Sequence, residues 1–216
     1  KNIETTEDYN NTQEGTNKVA LELKVPSLSK DQTDKNNATG DSPERNGEIT
    51  LTFTNGDKVT GAKIFKSDGT TQVGTDITKV NQTLKVIIVN DTKTDVDYTY
   101  HHKGITITDI SNPPAGTVYL TKSEYESLKI QHAEDNDTDI AIKISVTSYE
   151  VDYSGKPLTG NLATSSTTTA NMTVVIKPVT DDISLKWNVA SAGKISDARK
   201  TYTFNDIDEG NPTIDL

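Results

Sequence analysis

The sequence predicts an all-β protein, an antiparallel β-sandwich with one short helix. Threonine, valine and isoleucine, which favour strands, are frequent, whereas methionine occurs once. Short segments of alternating apolar and polar residues are separated by clusters of Gly, Pro, Asn and Asp, a pattern typical of antiparallel sheets. Only 31% of the residues are hydrophobic. This composition favours a thin architecture of two layers.

Most of the predicted strands share this alternation. The exception is Leu84 to Val89, a nearly continuous apolar run that is typical of a well-buried strand. Residues 54–57 (Thr-Asn-Gly-Asp) predict a type I′ turn that joins two of the strands in a hairpin. The strands are expected at residues 19–25, 49–53, 59–65, 72–77, 84–89, 96–100, 105–110, 140–146, 172–176, 183–187 and 201–204.

The single helix is predicted from its capping residues. Thr121 and Glu124 have the spacing of a capping box, in which each side chain binds a backbone N–H near the other. Leu120 and Tyr125 occupy the two positions of a hydrophobic staple. About two helical turns are therefore expected over residues 122–129.

Charge and composition exclude several classes of function. The formal net charge of −10 argues against binding to nucleic acid, because basic side chains must replace counterions along a phosphate backbone. The absence of cysteine excludes disulfides, thiolate metal sites and cysteine nucleophiles. No apolar run approaches the ~20 residues of a membrane-spanning helix, so no membrane insertion is expected. The chain is expected to be a piece of a longer, exported protein.

A repeat near the two ends predicts a tandem organisation. Residues 9–21 align without gaps to residues 204–216, with an identical Glu-Gly pair at Glu14 and at Glu209. We therefore expect residues 1–17 to be the end of a preceding module or a linker, residues 18–180 to form the sandwich module, and residues 181–216 to be a linker and the first strands of a following module. The alternative is a chance match between two polar turns.

Three groups of acidic residues are candidate Ca²⁺ ligands. Ca²⁺ takes about 6 to 8 oxygen ligands, so several carboxylates must come together. The alternative is that these acids are solvated and protect an exposed sheet edge from aggregation. No EF-hand pattern is present. The candidates are Glu134, Asp135, Asp137 and Asp139 in an acidic loop, Asp181 and Asp182 in the linker, and Asp206, Asp208 and Glu209 in the tail, with Glu14 as the repeat equivalent of Glu209.

No motif of a known catalytic site is present, and the chain is not expected to be an enzyme. The sequence contains no G-x-S-x-G, P-loop or H-E-x-x-H pattern. Glu124 and Glu126 are two positions apart in the predicted helix and therefore do not face each other as a glycosidase pair. His101 and His102, followed by Lys103, are interpreted as a surface turn rather than a transition-metal site.

The tyrosines leave two interpretations open. They could line a sugar-binding surface, because aromatic faces stack on carbohydrate, or they could be ordinary packing residues. The long polar loop at residues 29–47 is a second candidate recognition element. The tyrosines in question are Tyr98, Tyr100, Tyr119, Tyr125, Tyr149 and Tyr153.

Residues 116–182 carry a family resemblance. The pattern L-T-x-x-E-x-x-x-L, then an acidic loop, then D-I-x-I-x-I-x-V-T-S-Y-E-V-D and a Thr-rich strand ending V-V-I-K-P-V-T-D-D, resembles the Ig-like repeats of large type I-secreted RTX adhesins of Gram-negative bacteria. The resemblance implies a secreted, surface-anchored fibre of Ig-like β-sandwich modules in tandem, stiffened by Ca²⁺ at the junctions. In that family Ca²⁺ lies where a linker Asp pair meets acids of the neighbouring module, which favours the linker and tail groups. The glycine-rich G-G-x-G-x-D repeat of RTX proteins is absent.

Together these observations predict a non-enzymatic, Ca²⁺-stabilised module of a bacterial surface adhesin, acting as a spacer or adhesive unit in cell attachment or biofilm formation. Its expected partners are neighbouring modules of the same chain and a host or biofilm glycan or surface protein. The alternative is a carbohydrate- or protein-recognition β-sandwich with its own ligand site. A third option is an accessory domain of a secreted hydrolase.

Overall fold

Strands form nearly all of the regular structure in this computed structural model. The structure describes residues 1–6, 18–28, 43–134 and 136–178, together with two strands at 193–196 and 201–204. The chain divides into two compact units, Lys1–Val179 and Thr180–Leu216. In the second unit the described residues form an antiparallel pair of strands, in which Gly193 lies opposite Phe204.

The first unit contains ten strands among its described residues, one short α-helix and one 3₁₀ turn at Gly160–Leu162. The strands are β1 Asn2–Thr6, β2 Lys18–Ala20, β3 Glu44–Phe53, β4 Lys63–Phe65, β5 Gln72–Val73, β6 Gln82–Val89, β7 Thr117–Thr121, β8 Lys129–Gln131, β9 Ile140–Glu150 and β10 Ser165–Lys177, and the helix is α1 Lys122–Glu126. The second unit contributes β11 Gly193–Ser196 and β12 Thr201–Phe204.

Two sheets form the sandwich of the first unit. The larger sheet has six strands in the order β1-β10-β9-β3-β6-β7, and the smaller has four in the order β2-β8-β4-β5. All pairs are antiparallel except β1 with β10 and β6 with β7, which are parallel and lie at the two edges of the larger sheet. The predicted all-β sandwich is confirmed.

The hydrophobic core is built by the inward-facing residues of strands in which buried and exposed positions alternate. On β3, β9 and β10 the buried side chains occur at every second position, as the sequence predicted. Buried side chains of the smaller sheet and of the segment after β2 belong to the same core cluster. The buried residues on these three strands include Ile49, Leu51, Phe53, Ile140, Ile142, Met172, Val174 and Ile176.

The capping box of α1 is confirmed, but the helix is shorter than predicted. The Thr121 side chain accepts from the Glu124 N–H at 3.2 Å, and the Glu124 carboxylate accepts from the Thr121 N–H at 3.0 Å. The helix ends at Glu126 because the next residue, Ser127, turns the chain and its hydroxyl donates to the Ser123 carbonyl at 2.7 Å. Lys129, expected to be helical, begins β8.

The predicted hairpin between residues 49–53 and 59–65 is wrong. β3 pairs with β9 and β6, whereas residues 63–65 form β4 of the other sheet. The chain therefore crosses from the larger sheet to the smaller one after β3, and Asn55 explains this crossing. Its Nδ2 donates to the Asp139 carbonyl at 2.8 Å, and its Oδ1 accepts from the Ala141 N–H at 3.0 Å. These bonds bind the turn to the start of β9.

The strands predicted at 96–100 and 105–110 are also wrong, since these residues form turns with only isolated bridges at Val96 and His101. Carboxylates in this segment bind nearby backbone N–H groups: Asp97 accepts from Thr99 at 3.0 Å and Asp109 from Ser111 at 2.8 Å. Such local bonds compete with pairing in a sheet.

Two other predicted strands are shorter in the structure. At 19–25 the pairing ends at Ala20, although Leu21, Leu23 and Val25 are buried in alternation. At 72–77 only Gln72–Val73 form a strand. The strand predicted at 201–204 is present, whereas residues 183–187 lie outside the described part of the chain. Residues 2–6, set apart from the sandwich in the sequence analysis, form β1 within its larger sheet.

Removing the Asn55 side-chain amide should destabilise the first unit. We expect Asn55→Ala to lower the free energy of unfolding by about 1–3 kcal/mol, because two hydrogen bonds between the β3 turn and β9 are lost. Asn55→Asp keeps the acceptor but turns a carboxylate oxygen towards the Asp139 carbonyl, so it should destabilise the unit at least as much as Asn55→Ala. Urea denaturation measures both; a loss below about 0.5 kcal/mol for Asn55→Ala would contradict this account of the crossing.

Candidate recognition pocket and acidic loop

Three of the ten predicted Ca²⁺ ligands lie in described parts of the chain. Glu134, Asp137 and Asp139 are all exposed. The other seven lie outside the described residues: Asp135, Asp181, Asp182, Asp206, Asp208, Glu209 and Glu14. Within the described residues, no group of three or more His, Asp or Glu side chains is arranged to hold a metal ion.

The acidic loop, residues 134–139, lies at the end of the sandwich where β10 ends. Asp139 Oδ1 accepts a hydrogen bond from the Ile176 N–H at 3.0 Å, one residue before the end of β10. β1 ends at the same place, because Thr6 pairs with Lys177. Asn136 holds the loop to the neighbouring turn by donating to the Lys58 carbonyl at 3.0 Å. One carboxylate oxygen of Asp139 is therefore engaged by the backbone.

A polar pocket of about 180 Å³ lies elsewhere on the first unit, and we call it the tyrosine pocket. Three segments form it: the start of β3, the loop between β6 and β7, and the turn after β9. The Lys103 N–H donates to the Gly155 carbonyl at 2.7 Å and so joins the second and third segments. The lining residues are Pro43, Arg45, Tyr98, His101, Lys103, Asp152, Tyr153, Ser154 and Gly155.

Asp152 shapes the turn that contributes one wall of the tyrosine pocket. Its Oδ1 accepts from the Ser154 hydroxyl at 2.6 Å and from the N–H groups of Ser154 and Lys156 at 2.8 and 3.0 Å. The Ser154 hydroxyl and these backbone donors lower the pKa of Asp152, so the carboxylate stays ionised. Gly155 adopts a φ of 85°, a conformation that suits glycine. The turn is thus fixed by charge-assisted bonds.

The aromatic and charged side chains of the pocket suit a polar ligand. Tyr153 is 64% exposed and presents its ring to solvent. Tyr98 donates to Asp95 at 3.2 Å, and burial together with this bond raises the pKa of its hydroxyl. Lys103 Nζ lies 5.4 Å from the centroid of the Tyr98 ring. With Arg45, Lys103 and Asp152 in its wall, the pocket can offer donors, an acceptor and a stacking face to a hydroxylated or anionic ligand.

The structure distributes the six candidate tyrosines among different roles. Only Tyr98 and Tyr153 line the tyrosine pocket. Tyr125 is fully buried in the core, and Tyr149 packs edge-on against the His102 ring with centroids 4.8 Å apart. Tyr100 and Tyr119 are partly buried. The structure therefore supports the packing interpretation for Tyr125 and Tyr149, and leaves two tyrosines for recognition.

His101 was interpreted as part of a surface turn, and this is wrong because only 1% of its surface is exposed. Its Nε2 accepts a hydrogen bond from the Ile88 N–H of β6 at 2.8 Å. The neutral ring therefore carries its proton on Nδ1. Burial, together with the smaller effect of the neighbouring His102, lowers the pKa of His101 to about 4.

Comparison with protein-family models, with curated proteins and with solved structures finds no match to this chain. Among the helices of the described residues, none is long and apolar enough to span a membrane.

The buried His101 should make stability depend on pH. Its folded pKa of about 4 lies below the ordinary value of 6.5, so the unfolded state binds the proton more strongly. The contribution of the neutral His101 ring to the free energy of unfolding is fully present above about pH 6.5. It is lost as the pH falls towards 4, and the loss is at most about 3 kcal/mol.

The variant His101→Gln tests this dependence, since it can still accept from the Ile88 N–H but does not titrate. Urea unfolding at a series of pH values should show that His101→Gln loses less stability than wild type between pH 6.5 and 4. The matched control His102→Gln, at a partly buried ring, should keep most of the wild-type dependence. Identical pH profiles for wild type and His101→Gln would contradict the assignment.

Proposed function

We propose that this chain is a non-enzymatic module of a secreted bacterial surface adhesin, in which it acts as a spacer or adhesive unit. The observation that carries the proposal is the organisation of the chain: a compact unit at residues 1–179, whose described residues form a β-sandwich, is followed in sequence by a second compact unit. Modules in series are the architecture that an extended surface fibre needs. The family resemblance of residues 116–182 supports the same proposal.

Calcium is the cofactor that we propose for this module. Asp139, by accepting from the Ile176 N–H, holds the acidic loop at the end of β10, and Asp181 and Asp182 follow that strand closely in sequence. The carboxylates of Glu134, Asp137 and Asp139 are close together in the sequence of a chain with net charge −10, and like charges repel one another. A bound Ca²⁺ would neutralise them and would link folding to the extracellular ion concentration.

Ca²⁺ should raise the thermal stability of the chain. At a Ca²⁺ concentration tenfold above the dissociation constant, expected in the range of about 10⁻⁴ to 10⁻³ M, the gain is about 1.4 kcal/mol. For a unit of this size that corresponds to a rise in Tm of about 3–6 °C. Scanning calorimetry in EDTA, in millimolar CaCl₂ and in MgCl₂ measures the shift and its specificity.

Matched variants locate the Ca²⁺ effect. Asp137→Asn and Asp181→Asn should each reduce the Ca²⁺-dependent rise in Tm, whereas Asp91→Asn removes the same charge at an exposed residue outside the three acidic groups and should leave it unchanged. An unchanged Tm on adding Ca²⁺ to the wild type, or an equal loss in Asp91→Asn, would remove calcium from the proposed mechanism.

The second candidate is a recognition domain that binds a glycan or an anionic group of a surface protein. What favours it is the tyrosine pocket, in which Tyr98 and the exposed Tyr153 lie beside Arg45 and Lys103. Arg45 also lies within residues 29–47, the long polar segment that the sequence marks as a candidate recognition element. This activity is compatible with an adhesive module and would supply its ligand-binding site.

Binding through the tyrosine pocket should depend on its aromatic and cationic residues. A glycan array identifies the ligand class, and titration of a hit then compares variants. We expect Tyr153→Ala and Arg45→Ala to weaken binding by about tenfold or more, because stacking and charge-assisted bonds are lost. Val80→Ala truncates another exposed side chain, 56% accessible and outside the pocket, and should bind as wild type. Equal binding by all variants would exclude the pocket as the ligand site.

A further inference from the structure

Among the described residues, one edge of the larger sheet is unpaired along part of its length. β10 runs from Ser165 to Lys177, and on its outer side β1 pairs only with residues 173–177. Apart from the Asn171 carbonyl, which is bound by the Lys1 α-amino group, the outer side of residues 165–171 pairs with no described residue. All seven of these residues are exposed.

The backbone groups that face the open edge follow from the pairing of β10 with β1. Asn171 accepts at its carbonyl from the Lys1 α-amino group at 3.1 Å, and the Thr173 N–H donates to the Lys1 carbonyl at 2.9 Å. The backbone groups of odd-numbered residues therefore point outward, because the register between β10 and β9 is uninterrupted from Ser165 to Val174. The N–H and C=O groups of Ser165, Thr167 and Thr169 accordingly face the open edge.

This edge lacks the sequence features that usually prevent an exposed strand from pairing with another chain. Its sequence at residues 165–170, Ser-Ser-Thr-Thr-Thr-Ala, contains no charged residue and no proline, and no bulge interrupts its pairing with β9. Edges that are not meant to pair are normally blocked by lysine, proline or a bulge. An unblocked edge of seven residues is long enough to add a strand.

An apolar cleft of about 300 Å³ lies directly beneath the open edge. Thr168 and Ala170, which share the inner face of β10 with Met172, line it and are exposed. The Tyr125 hydroxyl in its wall is buried and has no hydrogen-bond partner among the described residues. A strand added at the edge would place every second side chain over this cleft. Because the cleft is apolar, a strand with apolar residues at alternate positions would fit it.

We propose that the open edge of β10 and the cleft beneath it accept an added β-strand, and that this strand is residues 183–189 of a second copy of the chain. That segment reads Ile-Ser-Leu-Lys-Trp-Asn-Val, with apolar residues at 183, 185, 187 and 189 and polar residues between them. It matches the open edge in length and the cleft in pattern. Pairing would satisfy the outward backbone groups of β10 and bury the alternating apolar side chains.

The test is self-association of the full chain, measured by analytical ultracentrifugation over a range of concentrations and by Trp187 fluorescence. We expect concentration-dependent association accompanied by a blue shift of the emission. A synthetic peptide of residues 183–189 should dissociate the assembly by competing for the edge. A wild-type chain that stays monomeric at all concentrations overturns the proposal.

Two pairs of variants identify the edge and its occupant. Thr167→Pro removes an outward N–H but no backbone bond to β9. The control Thr167→Ala keeps that N–H and loses the same hydroxyl contact with Thr147 of β9, so only the proline should weaken association, by about tenfold or more. Leu185→Ser should weaken it similarly, and Ser184→Ala should not. If Thr167→Pro acts and Leu185→Ser does not, another strand occupies the edge and the proposal is wrong.

A third pair keeps the test decisive if the proline variant does not fold. Thr168→Lys places a charge on the inner face of β10 over the cleft, whereas Thr167→Lys places the same charge on the outer face, at a residue that does not line the cleft. Circular dichroism establishes that both variants are folded. Only Thr168→Lys should abolish association; equal association by both variants overturns the role of the cleft.

Discussion

The backbone ladder of β9 is the constraint on which the rest of the first unit depends. β9 is paired along both edges, with β10 on one side and β3 on the other. Its inward side chains Ile140 and Ile142 are buried in the core. The residues just before and at its start bind Asn55 of the β3 turn and the Ile176 N–H of β10. One strand thus orders the sheet, the crossing to the second sheet and the position of the acidic loop.

Local patterns were sufficient where a strand has one buried and one solvated face. Residues 140–146 and 172–176 were predicted because their apolar residues alternate, and Thr121 with Glu124 marked the helix start. Local patterns failed where a distant partner decided the outcome. The turn after β3 leads away from β3 because Asn55 binds β9, which lies far along the sequence. Residues 96–100 are a different case. They alternate like a strand, but the carboxylate of Asp97 binds the backbone N–H of Thr99 within the same segment.

The candidate site was predictable only in part, for the same physical reason. The acidic loop is visible in the sequence because its carboxylates are adjacent, and the tyrosines attract attention because they are few and large. The sequence gives no sign that Arg45, Lys103 and Asp152 share one pocket, since they come from three segments. Nor does it show that His101 is buried, because its partner Ile88 belongs to another element. The open edge of β10, residues 165–171, lies outside the strand predicted at residues 172–176.

Hydrogen exchange of the individual amides, followed by NMR, tests the central role of β9 most directly. If β9 organises the first unit, the N–H groups of Ile142 and Ile144 should exchange only through global unfolding, with a free energy equal to that from denaturation. The short outer strands β2 and β5 should open at lower free energies. Exchange of the β9 amides through local opening, while those outer strands stay protected, would contradict the account.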